Sequence, residues 1–564
     1  MFKKILLLAF VITLISGILI TGCAKTTTTT TTSTPSVVPT TTAAAPTTTA
    51  AATPSATPTT TVQTPTPTAA PTETPQTGGT LRIISGAEVT CLGWAPEQLS
   101  GEDYYHRTPA IETLVRFDPK TNGPVPFLAE QVIEDYNNKT ITFVLRKGIQ
   151  FQDDTAFDAT ACKWNLDQEM AGVNTGMDFT NVSSIEVVDD YTVRVNFKAW
   201  DTVFLRLMCW DSAMVSPTAF EKNGLDWMRN NPVGTGPFKL LSFQRDVKKV
   251  FEKWDGYWQK DKPYLDRIEI SVVADPTVQV ASFLSGEADI IAIVDTTDAK
   301  NLQGKPGVKL LQGNVVGGLD SIFGDSANPS SPFSKLEVRQ AVSYAIDRQA
   351  INDSVYKGFG KLTNQVAPPG SLTYNPNIVG YPYDPDKARE LLKETGYENG
   401  LDTTIWCSST PFYQDLFTAV QGYLANVGIK AAIKLQGPGE MGAMGFGTGW
   451  SDGLFGQGLI DDPEVGIDMR VFLAESSGTG IAKSIIHPEE VENAINLMVS
   501  APDFKTKQAE AWELQSLMFD KYCIFTPIMF MSNITAWSTK VHDELWETYT
   551  PQDPWSFADT WMTQ

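Results

Sequence analysis

Residues 403–435, TTIWCSSTPFYQDLFTAVQGYLANVGIKAAIKL, read as strand, helix and strand in succession. Leu416, Val420, Tyr423, Leu424 and Val427 recur at helical spacing, and Gly428 supplies the stop. A strand that returns to its own sheet through a helix is a βαβ unit, and such units build α/β lobes. The surrounding sequence agrees. Ile141, Phe143 and Leu145 alternate with Thr142, Val144 and Arg146, as in a strand with one buried face. Gly78-Gly79 followed by TLRIIS reads as the first strand. VRQAVSYAIDRQAI (338–351) sets Val338, Ala341, Val342, Ala345 and Ile346 on one helical stripe. YDPDKARELLKETGY (383–397) opens with Asp384 as cap and Pro385 in the first turn, and closes at Gly396.

Upstream, Met1-Phe2-Lys3-Lys4 precedes an apolar run from Ile5 to Ile20, too short to span a membrane comfortably and patterned as a secretory signal peptide. Ile20-Thr21-Gly22-Cys23 resembles a bacterial lipobox, which implies cleavage before Cys23 and its diacylation. Two acyl chains hold a protein on a membrane. Residues 25–77 are Thr, Pro, Ala and Ser with only Lys25 and Glu73 charged, so nothing is available to bury and a disordered tether is expected. No second linker and no repeat follows, so residues 78–564 are expected to fold as lobes packed together.

A net charge of −22 repels phosphate backbones and anionic lipid, which excludes nucleic acid as a partner. Besides Cys23 the cysteines are Cys91, Cys162, Cys209, Cys407 and Cys523, odd in number and without a CxxC pair, so at most two disulfides are expected. His106, His487 and His542 are the three histidines, and HExxH does not occur. Gly234-Thr235-Gly236 lacks the lysine of a phosphate loop and reads as a turn between strands. No catalytic residue, metal site or cofactor is expected, and the chain is read as a binding protein and not an enzyme.

Four stretches in series carry a family resemblance: PFLAEQVIEDYNNKTITFVLRKGIQFQDDTAFDATACKWNL (126–166), NPVGTGPFKLLSFQ (231–244), ASFLSGEADI (281–290) and PFSKLEVRQAVSYAIDRQAI (332–351). They resemble the bacterial extracellular solute-binding proteins of family 5, receptors of dipeptide and oligopeptide importers. Asp154 departs from the pattern, standing where relatives usually carry Gly. The resemblance implies a periplasmic-binding-protein-like α/β fold of class II, cluster C type, with two lobes, an extra subdomain and two chain crossings. The expected order is signal peptide 1–22, lipidated Cys23 with tether 23–77, lobe I with the inserted subdomain 78–315, lobe II 316–526, and a return to lobe I over 527–564. Implied with it are capture of a peptide in the interlobe cleft, or of an oligosaccharide as the alternative, and delivery to an ABC permease and ATPase complex. A tethered surface hydrolase is the third and weakest reading. The chain is expected to be a monomer outside the cytoplasmic membrane, held there by its lipid anchor alone.

The resemblance also suggests ligand contacts. Trp94, in CLGWAPEQ, falls in a loop that would face the cleft, and Trp406 and Tyr413 flank the strand-to-helix turn of the βαβ unit. In GWSDGLFGQGLIDDPEVGI (449–467), peptide-binding relatives place a Trp and then an Asp that pairs with the peptide's amino terminus. Aligning on Gly449-Trp450 brings Asp452 near that position, whereas aligning on Asp462-Pro463 brings Leu459 there. The first favours a peptide and the second another solute, and both stay open at this point.

Overall fold

The computed structural model describes residues 74–98, 105–118, 121, 123–172, 179–312, 318–459, 462, 464–531, 533–543 and 556–563. Cys23 and nearly all of the tether lie outside them. The stretch read first as a βαβ unit forms the Leu401–Ser408 strand, the Pro411–Asn426 helix and the Ile429–Gln436 strand. Its strands run parallel, from Leu401 opposite Ile429 to Ser408 opposite Gln436. Leu416, Val420 and Leu424 are fully buried under the sheet, each contributing about 2 kcal/mol of apolar transfer. Gly428 turns the chain at φ +96°, a conformation that strains any residue with a Cβ.

Two mixed sheets organise the rest. The first orders its strands as Phe238–Gln244, Lys248–Lys253, Arg267–Val272, Thr80–Ser85, Ile290–Ile291, Ile534–Ser538 and Val308–Gln312. The second runs Lys361–Leu362, Phe525–Met531, Gly318–Gly324, Leu454–Leu459, Leu401–Ser408 and Ile429–Gln436. The chain passes from first to second between Gln312 and Gly318, and returns between Met531 and Ile534. The stretch 523–538 therefore holds two strands in two sheets. Position 527 lies inside Phe525–Met531, whose backbone is held on both sides by Gly318–Gly324 and Lys361–Leu362. A smaller four-stranded antiparallel sheet, Ala129–Asp135, Thr140–Leu145, Thr192–Phe197 and Val182–Asp189 in that order, forms the inserted subdomain. Ile141, Phe143 and Leu145 are its buried face. It is tied to the late helices by Trp200, which donates to the Ala501 carbonyl at 3.0 Å.

The apolar stripe at 338–346 is buried throughout, but the segment 338–351 divides between two helices, Leu336–Ala345 and Arg348–Ser354. Asp347 divides them because its carboxylate accepts the Ala350 N–H at 3.0 Å and so starts a second helix. Asp384 caps Pro385–Glu394 in the same way, at 2.9 Å from the Lys387 nitrogen. Asp154, where relatives carry Gly, sits at φ +65°, a left-handed conformation that Asp tolerates better than most residues. The five cysteines after Cys23 are all buried. Among the described residues no helix is long and apolar enough to cross a membrane.

The Gly234-Thr235-Gly236 turn packs backbone against backbone. Gly236 donates to the Ala110 carbonyl at 2.9 Å, and Thr235 donates to Glu112 Oε2 at 3.0 Å. Glu112 also accepts from the Tyr257 hydroxyl at 2.7 Å and the Trp258 indole at 2.9 Å. Burial pushes its carboxyl up to about 7 in spite of these three donors.

Candidate functional site

Three parallel strands of the first sheet end at one place. Thr80–Ser85 lies between Arg267–Val272 and Ile290–Ile291, parallel to both. The residues that follow them, Gly86 and Ala87, Ala274, and Ala292 to Val294, line a cavity of about 400 Å³. From the second sheet the cavity receives Phe412, at the start of the Pro411–Asn426 helix, and Met531, the last residue of its strand. Asn533, on the return crossing, completes that side. Ligands of α/β folds collect at the carboxyl ends of parallel strands, where side chains from different loops converge on one space.

Most of the wall is apolar: Val280, Ile291, Ile293, Val294, Phe412 and Met531. The charged members are Asp295 and Asp298. Asp295 caps the Thr296–Leu302 helix by accepting the Asp298 N–H at 2.8 Å. Desolvation, and then the Asp295 charge, raise the Asp298 carboxyl above its ordinary range. Thr296 Oγ1 donates to the Val355 carbonyl at 3.1 Å and so joins the two sides at the rim.

Behind Phe412 stands a buried polar triad. Asp320 accepts from the Tyr356 hydroxyl at 2.6 Å and is also hydrogen-bonded by Tyr413. The Phe412 ring packs edge-on against both tyrosines, at 5.3 Å from Tyr356 and 5.5 Å from Tyr413. Desolvation holds Asp320 up at about 6. Gly458 leaves room for this arrangement, since a Cβ there would stand 2.8 Å from the Tyr413 hydroxyl.

The residues singled out in the sequence scatter. Trp94 is buried in the first lobe, stacked at 4.8 Å on Phe220 and edge-on to Trp164 at 5.9 Å, and does not line the cavity. Trp406 lies half-buried on its strand with the Lys434 ammonium 4.5 Å above the ring. Trp450 is buried and stacked on Phe455 at 4.5 Å. Tyr413 follows cavity-lining Phe412 but spends its hydroxyl on Asp320. Asp452 and Leu459 bracket the Leu454–Leu459 strand, which runs parallel to Leu401–Ser408 with Leu454 opposite Ile405. Leu459 is thereby at the cavity end, buried and paired with Leu319. Asp452 is at the far end, roughly 20 Å away along the strand, exposed, its N–H donating to Asp325 at 2.9 Å. Phe412, Asp295, Asp298 and Asn533 were not anticipated. Asp295 carried a legible capping signal, but only the sheet order brings residues 85–87, 291–298, 412 and 531–533 to one cavity.

Two α/β sheets joined by two chain crossings, with a cavity at the strand ends between them, describe a two-lobed solute-binding protein. Residues 123–456 match the bacterial extracellular solute-binding proteins, family 5 (middle), and the chain belongs to that family. It is similar to the glutathione-binding protein GsiB of Shigella flexneri, 36% identical over 342 residues, covering 57% of this chain and 66% of that one. The chain thus spans just under two thirds of that relative's length. Its fold is similar to that of DppA from Helicobacter pylori in complex with the peptide STSA, at a TM-score of 0.72 and 24% identity, covering 87% of this chain and 99% of the other. NikA from Brucella suis, in complex with Fe(III)-EDTA, gives a TM-score of 0.73 at 19% identity, covering 84% and 99%. The fold accommodates ligands as different as these.

Proposed function

We propose that the chain is the solute receptor of an ATP-driven importer, capturing a peptide-like solute in the interlobe cavity and presenting it to a membrane permease. The single observation that carries this reading is the cavity itself, placed where both lobes contribute and only two crossings connect them. A solute touching both sides shifts the population toward the closed form, and that form is what a permease can recognise. Cys23 would carry the lipid anchor, and residues 25–77 would let the receptor reach about 40 Å from the membrane as a coil. Leu459 at the cavity end of its strand favours a second reading, a non-peptide solute, because an aliphatic side chain offers an ammonium group nothing.

The test is native mass spectrometry of the full chain purified from a rich-medium host. Adducts at peptide masses support the proposal, whereas stabilisation by oligosaccharides with no peptide adduct would replace it with the second reading. Phe412→Ala should weaken solute binding at least tenfold, roughly the loss expected for truncating a packed aromatic contact. Asp452→Ala, far from the cavity, should leave affinity within about twofold, as independent distant sites do. Titration calorimetry of both variants checks the pair, and a larger loss from Asp452→Ala than from Phe412→Ala would move the site.

A further inference from the structure

We infer that Phe359 is a positioning residue for solute capture: the loop 355–360 is a non-covalent brace across the hinge, and its Phe359 ring, seated in the first lobe, limits how far the lobes part. The brace sets the spacing of the lobes and serves a solute of any chemistry. The loop belongs to the second lobe, between the Arg348–Ser354 helix and the Lys361–Leu362 strand. Its two aromatic rings go to different cores. Tyr356 is fully buried with the second lobe's apolar residues, Ile351 and Leu416 among them. Phe359 instead packs on the cluster that Phe283, Ile291, Val294, Leu302 and Ile534 form in the first lobe.

Polar contacts fix the loop beside both crossings. Gln312, the last residue of its strand before the first crossing, donates its side-chain amide to the Phe359 carbonyl at 2.8 Å. Thr296, which lines the cavity, donates to the Val355 carbonyl at 3.1 Å. At the loop's far end Lys361 and Leu362 pair with Phe530 and Met529, just ahead of the return crossing. The loop is also held to its course from within. Lys357 at φ +55° and Gly358 at φ +85° are successive left-handed residues that reverse the chain sharply. A lysine keeps that conformation only where its surroundings over-determine it. Asn352 supplies part of this by accepting the Gly360 N–H at 3.0 Å and donating to the Gly360 carbonyl at 3.1 Å. Parting the lobes means turning about the two crossings, and a ring seated across them must leave its cluster before the turn can widen. Leaving exposes apolar surface on the ring and on the cluster, which opposes the motion. The free protein therefore keeps its cavity walls near the spacing at which a solute touches both, and less freedom is lost on capture.

Small-angle X-ray scattering of the dialysed full chain, with amide hydrogen exchange on the same samples, tests this. Phe359→Ala should enlarge the radius of gyration relative to wild type. It should also speed exchange at least tenfold in the Thr296–Leu302 helix and the loop 355–360, while the Thr140–Leu145 strand of the inserted subdomain exchanges as before. Phe359→Leu keeps an apolar plug and should restore the wild-type radius, a rescue that a general loss of stability would not give. Melting temperatures verify that each variant is folded. If Phe359→Ala does not fold, the Gln312→Ala/Thr296→Val double variant, which removes only the two side-chain hydrogen bonds between the lobes, should enlarge the radius to a lesser extent. A folded variant with the wild-type radius and wild-type exchange overturns the inference, and so does an enlargement that Phe359→Leu leaves uncorrected. Failure of solute capture is read separately, from native mass spectrometry of the wild type, and leaves the brace standing.

Discussion

Gly234→Ala is expected to destabilise the chain by at least about 3 kcal/mol, because the new Cβ has nowhere to go. It would stand 2.2 Å from the Ala110 carbonyl oxygen and 2.8 Å from the Ile111 Cα. Both are backbone atoms, so no side chain can swing aside. The turn would have to lift, and it would take with it the Gly236 bond to Ala110, the Gln152 N–H bond to the Gly234 carbonyl and the Thr235 bond to Glu112. Glu112 would then keep two of its three donors in a fully buried place. Gly439→Ala is the matched control: a Cβ there meets nothing within 4 Å, in a short helix where Ala is preferred. Urea unfolding of the two variants decides the matter. Equal midpoints would show that the turn yields at little cost, and that its glycines are not there for close approach.

The second large effect is a stability that falls as pH rises. Glu112 at about 7 and Asp320 at about 6 both hold their protons more tightly folded than unfolded, where ordinary values are 4.5 and 3.8. An acid raised in this way contributes stability fully below its unfolded value and loses it as pH climbs through the folded one. The windows are therefore pH 4.5 to 7 for Glu112 and 3.8 to 6 for Asp320. Each contribution is of order 3 kcal/mol at most, from about 1.4 kcal/mol per unit. Other carboxylates titrate in the same range, so the comparison must be with Glu112→Gln and Asp320→Asn. Wild type should lose stability relative to each variant between pH 4 and 7.5. Parallel stability profiles would mean that folding raises neither carboxyl's pKa. Asp320→Asn has a further reading, since it loosens the tyrosines that flank Phe412 and should weaken solute binding as well as flatten the profile.

Much of the architecture was written locally. The βαβ unit at 401–436, the capped helix at Pro385 and the alternating strand at 140–145 each follow from spacing, caps and one stop residue, all of which act within a few residues of chain. The family followed from four motifs in order. The buried stripe at 338–346 was also legible, but the helix break that follows it was not read, because Asp347 competes as a helix cap against continuation of the helix. The site was hardly legible at all. Trp94 and Trp450 looked like ligand contacts and are packed against Phe220 and Phe455, for an aromatic ring reads the same whether it faces a core or a cleft. The choice between Asp452 and Leu459 could not be made from the sequence, since both alignments keep the same strand. The parallel pairing of Leu454–Leu459 with Leu401–Ser408 places Leu459 at the end of its strand nearer the cavity and Asp452 at the opposite end. Strand order is a property of contacts between segments hundreds of residues apart. Composition and periodicity therefore determined the elements and the class of fold, and only the tertiary structure decided which strand ends meet and which charges they bring.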